Sequence, residues 1–262
     1  LKILSPSKAL SPSQKKQSVK EDSLNRFCAE LERMFERLNN HESEEHQKGI
    51  LADFLKEGIY RPLYELNTKG DCDLVIHHGK TSKDSVGVMF EVKRHTNKTE
   101  MISPEQPNTK ALQELLFYYL QERIDNNNLE IKHLIVTNVL EWFIFDEKHF
   151  ETLFFRNHKL RKEYESYKQS GKDTKFFYEE IAKKHIDEIT GEIPVVYCNL
   201  QEAQTLLAKG KQHEQQFLTL YKIISPDYLF KLPFSNDSNT LNKEFYNELL
   251  HIIGLEETKE ER

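Results

Sequence analysis

Long apolar runs are missing from this chain of 262 residues. A membrane-spanning helix needs about 18–20 consecutive apolar residues, and no stretch approaches that. The first twenty residues hold no apolar segment of the kind a secretory leader uses. Cysteine is sparse. Cys28, Cys72 and Cys198 are far apart, odd in number and form no Cys-x-x-Cys pair, which argues against a disulfide framework and a cysteine zinc site. Three free thiols suit a reducing compartment, so a cytoplasmic location is expected. His41 and His46 are five apart, not the i, i+4 spacing of a zinc-protease helix. An excess of basic charge is missing too. There are 37 Lys and Arg against 43 Asp and Glu, a net charge of -6. That excludes gripping DNA by bulk charge as the main task, but not a local basic cleft.

What is present is enough apolar matter for a core, 37% of residues, under a surface rich in charge. Residues 1–20 carry five lysines and no acid. They read as a flexible basic lead-in, solvated or touching phosphate. Ser18 and Glu21 have capping-box spacing. Leu24, Phe27, Cys28, Leu31, Phe35 and Leu38 then recur at helical intervals. A second helix is expected from about Ser43, with Ile50, Leu51, Phe54 and Leu55 on one face and Gly58 as its stop.

Strands are expected at Asp73–Ile76 and from Val86 to Lys93. In the latter, Val86, Val88, Phe90 and Val92 share one face, and Gly87, Met89, Glu91 and Lys93 the other. A helix follows over about 109–125. Strands are then expected over 131–137, 141–145 and 194–198, with helical pattern between 147 and 190 and again over 201–253. The order predicts an α/β fold with a mixed central sheet flanked by helices and a C-terminal helical extension.

The chemistry concentrates at Asp73 and Glu91-Val92-Lys93. Alternation places Glu91 and Lys93 on one side of a strand, and Asp73 opens its neighbour. A hairpin between them brings two carboxylates and an ammonium to one end. Carboxylates suit Mg²⁺, a hard cation that prefers oxygen. Such a cation polarises a phosphate and acidifies water, and the lysine offsets charge in the transition state. The Val92 carbonyl is a further candidate oxygen ligand. Glu91 and Lys93 also interrupt an apolar strand, and burying charge without a partner costs several kcal/mol, on the order of its effective desolvation penalty.

These residues resemble the PD-(D/E)XK nuclease superfamily, with Cys72 where a proline often precedes the first acid. A longer ordered set extends the likeness. It comprises Ser43-Glu44-Glu45-His46, Asn67-Thr68-Lys69-Gly70, Asp73-Leu74-Val75-Ile76, Glu91-Val92-Lys93-Arg94, Asn97 to Met101, Ala111 to Leu115, Thr137-Asn138 and Glu141 to Asp146. Over about residues 20–255 it resembles the N-terminal nuclease region of type IIG-like restriction-modification enzymes. The resemblance implies a restriction-endonuclease-like fold and an Mg²⁺-dependent DNA endonuclease, with Mn²⁺ able to substitute. It also implies double-stranded DNA as partner, a transient homodimer on DNA, and fused methyltransferase and target-recognition domains further along a longer chain. A start at Leu1 fits a piece of such a chain. No Asn-Pro-Pro-aromatic tetrapeptide or Gly-rich cofactor loop is present, so no S-adenosylmethionine site is expected in this segment.

The resemblance also implies supporting residues. Glu45 is the candidate helix-borne acid at the metal site, with Glu44 and Glu42 as competitors. Gln113 is a candidate brace of the site or DNA contact, against an exposed helix polar residue. Lys69, Arg94 and Lys98 are candidate phosphate contacts, joined by His95, Lys80 and Lys83. A second basic patch, Arg156 to Lys175 with Tyr164 and Tyr167, reads equally as a solvated helix face with core tyrosines. Trp142, Phe143 and Phe145 read as sheet core. The expected division is a lead-in over 1–20, the nuclease over 21–200, and a helical extension or connector over 201–262. Two other readings stand beside this one: a repair or mobile-element nuclease of the same fold, and a catalytically silent module that binds DNA or a partner.

Overall fold

Seven strands form one mixed sheet in the order β1 (Lys2–Leu4), β7 (Pro194–Asn199), β6 (Glu141–Asp146), β5 (His133–Thr137), β4 (Val86–Val92), β3 (Cys72–His77), β2 (Leu66–Lys69). β4 and β5 run parallel, as do β1 and β7; the other neighbours are antiparallel. The computed structural model describes residues 1–232. β4 is central and buried at all seven positions, as expected of a strand covered on both faces.

Val88, Phe90 and Val92 face one apolar cluster, and Met89 faces the other. Val86 departs from the expected alternation and joins the Met89 side. The β3–β4 register slips between Ile76 and His77, and an extra residue at a bulge exchanges the faces beyond it. Gly87 is where a side chain cannot fit, since a Cβ there meets the Phe230 ring at 2.6 Å.

Helices α1 (Pro6–Ala9), α2 (Pro12–Lys16), α3 (Glu21–Arg37) and α4 (Glu44–Leu55) precede β2. Helix α5 (Lys110–Leu120) joins β4 to β5. Helices α6 (Glu147–Phe150), α7 (His158–Ser170), α8 (Thr174–Phe176) and α9 (Lys183–Asp187) lie between β6 and β7. After β7 come α10 (Leu200–Ala208), α11 (Gln215–Ile223) and α12 (Pro226–Leu229). Apolar side chains of α3, α4, α10 and α11 cover one face of the sheet. Those of α5, α7 and α9 cover the other, so the fold is three-layered α/β.

Helix α3 buries Leu24, Phe27 and Leu31 of the expected stripe, together with Met34, while Cys28, Phe35 and Leu38 are only partly buried. Its N-cap is Lys20 rather than Ser18, without a side-chain cap. Glu21 and Asp22 fill the first turn, where their charge favours the helix dipole. Ser43 does cap α4, accepting the His46 N–H at 3.1 Å. Gly58 does not stop that helix. The chain continues through a wide turn over Lys56–Tyr60, where Gly58 passes close to Glu30 of α3. Trp142, Phe143 and Phe145 are sheet core, and Tyr164 and Tyr167 are buried. No described helix is long and apolar enough to cross a membrane.

Two expectations need correction. Residues 1–20 are not a loose lead-in: β1 pairs with β7, and Leu10 is 3% exposed in a cluster with Phe217 and Leu220. Lys222 Nζ also donates to the Lys15 carbonyl at 2.9 Å. Nor does a boundary fall at residue 200, because the compact unit runs from Leu1 to Leu232. The expected helices beyond 232 lie outside the described residues. Leu10→Ala is expected to cost about 2 kcal/mol in urea denaturation, the lower end for a buried leucine; a solvated lead-in predicts no change.

Candidate functional site

The antiparallel register pairs Leu74 with Phe90. One step further along both strands, Asp73 at the start of β3 faces Glu91 near the end of β4. The two carboxylates therefore share a face and an edge of the sheet, as the hairpin reading expected. Asp73 Oδ2 accepts the Val92 N–H at 2.8 Å, and Oδ1 accepts the Lys48 ammonium at 2.5 Å. Glu91 is 2% exposed. Its Oε1 lies 2.7 Å from Lys93 Nζ, while Oε2 is buried with no hydrogen-bond partner. Burial, with the Asp73 charge adding to it, pushes the Glu91 carboxyl well above the ordinary range; the Lys93 ammonium opposes this.

Lys93 is 3% exposed, its backbone held by the Thr137 carbonyl at 2.8 Å. Its ammonium touches Glu91 and also donates to Glu114 Oε2 at 2.5 Å, with Glu100 at 3.9 Å. Burial pulls a lysine down, but Glu91 and Glu114 outweigh it and hold Lys93 above its ordinary value. Cys72, in the position before the first acid, is buried against the Phe90 carbonyl, and burial pushes its thiol well up.

The α5 residue at Lys93 is Glu114, which sequence reasoning did not select. Gln113 instead donates to Asn108 Oδ1 at 2.9 Å. Adjacent helix positions differ by about 100°, so Glu114 takes the position against Lys93 while Gln113, also buried, lines the cleft beside it. On α4 the same substitution occurs. Glu45 has its side chain 82% exposed, although its Oε2 comes within 3.8 Å of Lys48. Glu44 accepts the Arg94 N–H at 3.1 Å, and Gln47 accepts the His95 N–H at 2.9 Å. Helix α4 therefore clamps the chain just after Lys93. Lys48 and Gln47, like Glu114, lay in polar helix positions whose orientation only the packed fold reveals.

The basic candidates scatter. Lys69 sits at the Asp73 end of the sheet, but its ammonium is 2.7 Å from Glu122. Arg94 is half-buried, and Lys98 is exposed on the loop after β4. Lys80 and Lys83 lie in the loop joining β3 to β4, at the opposite end of that hairpin from Asp73 and Glu91. His77 is a buried structural side chain between Asp84 and Asn67, as a strand-end histidine should be.

A cleft of about 710 Å³ opens beside the site. Glu114, Lys110 and Tyr118 of α5 line one side, and Thr174, Lys175 and Tyr178 line the other. Burial and then the Glu91 charge push the Tyr118 phenol upward, which ties this wall to the carboxylates. Among the described residues no group of three or more His, Cys, Asp or Glu side chains is arranged to hold a metal ion. The available donors are therefore the Asp73 and Glu91 carboxylates and nearby backbone oxygen.

A family model described as a domain of unknown function, DUF7149, matches residues 4–237. A second, DUF7814, also described as a domain of unknown function, matches residues 238–262. No curated protein and no solved structure matches the chain. The first match begins at the last residue of β1 and takes in the described helices after β7, in keeping with the single unit seen over 1–232. The chain thus belongs to the DUF7149 family.

Proposed function

We propose that this chain is a divalent-cation-dependent endonuclease domain with a restriction-endonuclease-like fold, hydrolysing phosphodiester bonds in double-stranded DNA. The observation that carries the reading is the Glu91 carboxylate. It is buried, one oxygen lacks any partner, and a second carboxylate, Asp73, stands beside it. Lys93 satisfies one Glu91 oxygen, but a purely structural acid there leaves the other buried and unpaired, which costs stability.

The donor set fits Mg²⁺ or Mn²⁺. Asp73, Glu91 and the Val92 carbonyl offer hard oxygens, and the remaining positions suit water and phosphate, as Mg²⁺ commonly prefers. When bound, the cation supplies Lewis acidity toward the phosphate and the attacking water. Lys93, kept charged by Glu91 and Glu114, acts as a fixed positive charge that orients water and offsets charge on the phosphate. Glu114 positions that ammonium. Tyr118 and Lys110 supply a wall along which a DNA strand approaches.

The wider setting belongs to the same proposal: a type IIG-like restriction-modification enzyme, with methyltransferase and target recognition in other domains. Two copies come together on DNA because one such site cuts one strand.

Supercoiled plasmid incubated with the chain at low salt should turn open-circular in Mg²⁺ or Mn²⁺ and stay intact in EDTA. Cutting that survives EDTA contradicts the metal requirement. No cutting in either metal, repeated in a protein carrying the further domains, favours a silent binding module.

A further inference from the structure

Lys48 joins α4 to the first acid, and nothing in the nuclease reading so far uses it. Its ammonium bonds Asp73 Oδ1 at 2.5 Å, with the two side chains only 19% and 11% exposed. The other Asp73 oxygen is taken by Val92 N–H. On Lys48's own helix, Glu44 Oε1 and Glu45 Oε2 each lie 3.8 Å from the same ammonium. Three carboxylates surround one cation, and the nearest is the residue read as a metal ligand. An oxygen held by an ammonium is a poor ligand for Mg²⁺, and a divalent ion placed there repels the ammonium.

Resting on the reading of Asp73 as a cation ligand, we propose that Lys48 is a positioning residue that occupies Asp73 in the cation-free protein. It releases Asp73 to the divalent cation by moving onto Glu44 and Glu45. The exchange needs only a swing of the lysine stem, because the receiving carboxylates sit one turn back on α4. Glu44 is already anchored by the Arg94 N–H, so the receiving carboxylate stays tied to the strand that carries Glu91 and Lys93. In the cation-free state the arrangement keeps Asp73 paired beside Glu91, where two bare carboxylates repel. In the loaded state it keeps Lys48 paired. Glu44 and Glu45, neither holding the metal, thereby acquire a role as receivers of the displaced charge.

The test is Mn²⁺ binding to the whole chain without DNA, read as loss of the free-ion signal in electron paramagnetic resonance. Asp73→Asn reports on the metal reading and Lys48→Met on the handover. Lys48→Met is expected to bind Mn²⁺ about tenfold more tightly than wild type, whereas Lys48→Arg, which keeps the charge, stays near it. Circular dichroism confirms folding, with Lys48→Gln as a second neutral variant. If Asp73→Asn binds as wild type does, the cation reading fails and the handover with it. If Asp73→Asn loses binding while both neutral Lys48 variants bind no more tightly than wild type, the handover alone is overturned.

Discussion

Lys93→Met is expected to lower the unfolding free energy by about 3–5 kcal/mol near pH 8, the cost of stranding a buried charge. Methionine roughly keeps the side-chain volume, so packing changes little. What is lost is the one ammonium that touches Glu91 at 2.7 Å and Glu114 at 2.5 Å. The two acids then remain facing each other under the sheet's helical cover. The sign of the pH dependence follows from Glu91. Its folded-state pKa lies above the unfolded value of 4.5, through burial and then Asp73, and losing Lys93 raises it further. Below the unfolded value the carboxyl is neutral in both states and carries no penalty. As the pH rises through the folded-state pKa the penalty grows. The deficit should therefore be largest near pH 8 and shrink toward about pH 5, measured as urea midpoints across that range. A deficit that does not change with pH points to a packing defect and contradicts the charge account.

Asp73→Asn should reduce cleavage by about 10³-fold or more. In the proposed nuclease, loss of a ligand to the cation removes several kcal/mol of transition-state stabilisation, and each ~1.4 kcal/mol is a decade in rate. The fold should hold. An asparagine oxygen still accepts the Val92 N–H, and Lys48 still has Glu44 and Glu45 close by. The Lys48–Asp73 pair is largely buried, at 19% and 11% side-chain exposure, but Lys48 keeps two carboxylates nearby, so the stability read from the urea midpoint should fall by less than the ~3–5 kcal/mol of a fully stranded charge. Single-turnover cleavage and denaturation of the same preparation separate the two effects.

The strands that carry Asp73, Glu91 and Lys93 were legible for a physical reason. Period-two apolar patterning marked Val86 to Lys93, a short run of β-prone residues marked Asp73–Ile76, and Glu91 and Lys93 stood out because charge is expensive in a central strand. Elements β1 and β2 were not legible. At three and four residues they carry too few alternations, and their pairing partners, β7 and β3, supply the structure. The bulge that turns Val86 to the other face is likewise a property of the pairing.

Helix positions were the weakest inference. Residues 113 and 114 are both polar, and only the docking of α5 on the sheet selects Glu114 for Lys93. Residues 44 and 45 pose the same problem on α4. Lys48 was invisible because its partner, Asp73, is 25 positions away and reached only once α4 packs beside β3. The lead-in was misjudged on charge. Its lysines are exposed as expected, but strand pairing with β7 and the buried Leu10 anchor it.

The most direct test of the account is plasmid nicking at low salt in Mg²⁺ by wild type and Asp73→Asn at equal folded concentration. The account predicts open-circular product from the wild type and almost none from the variant. Equal nicking by the two proteins would contradict the assignment of Asp73 and Glu91 as the catalytic centre.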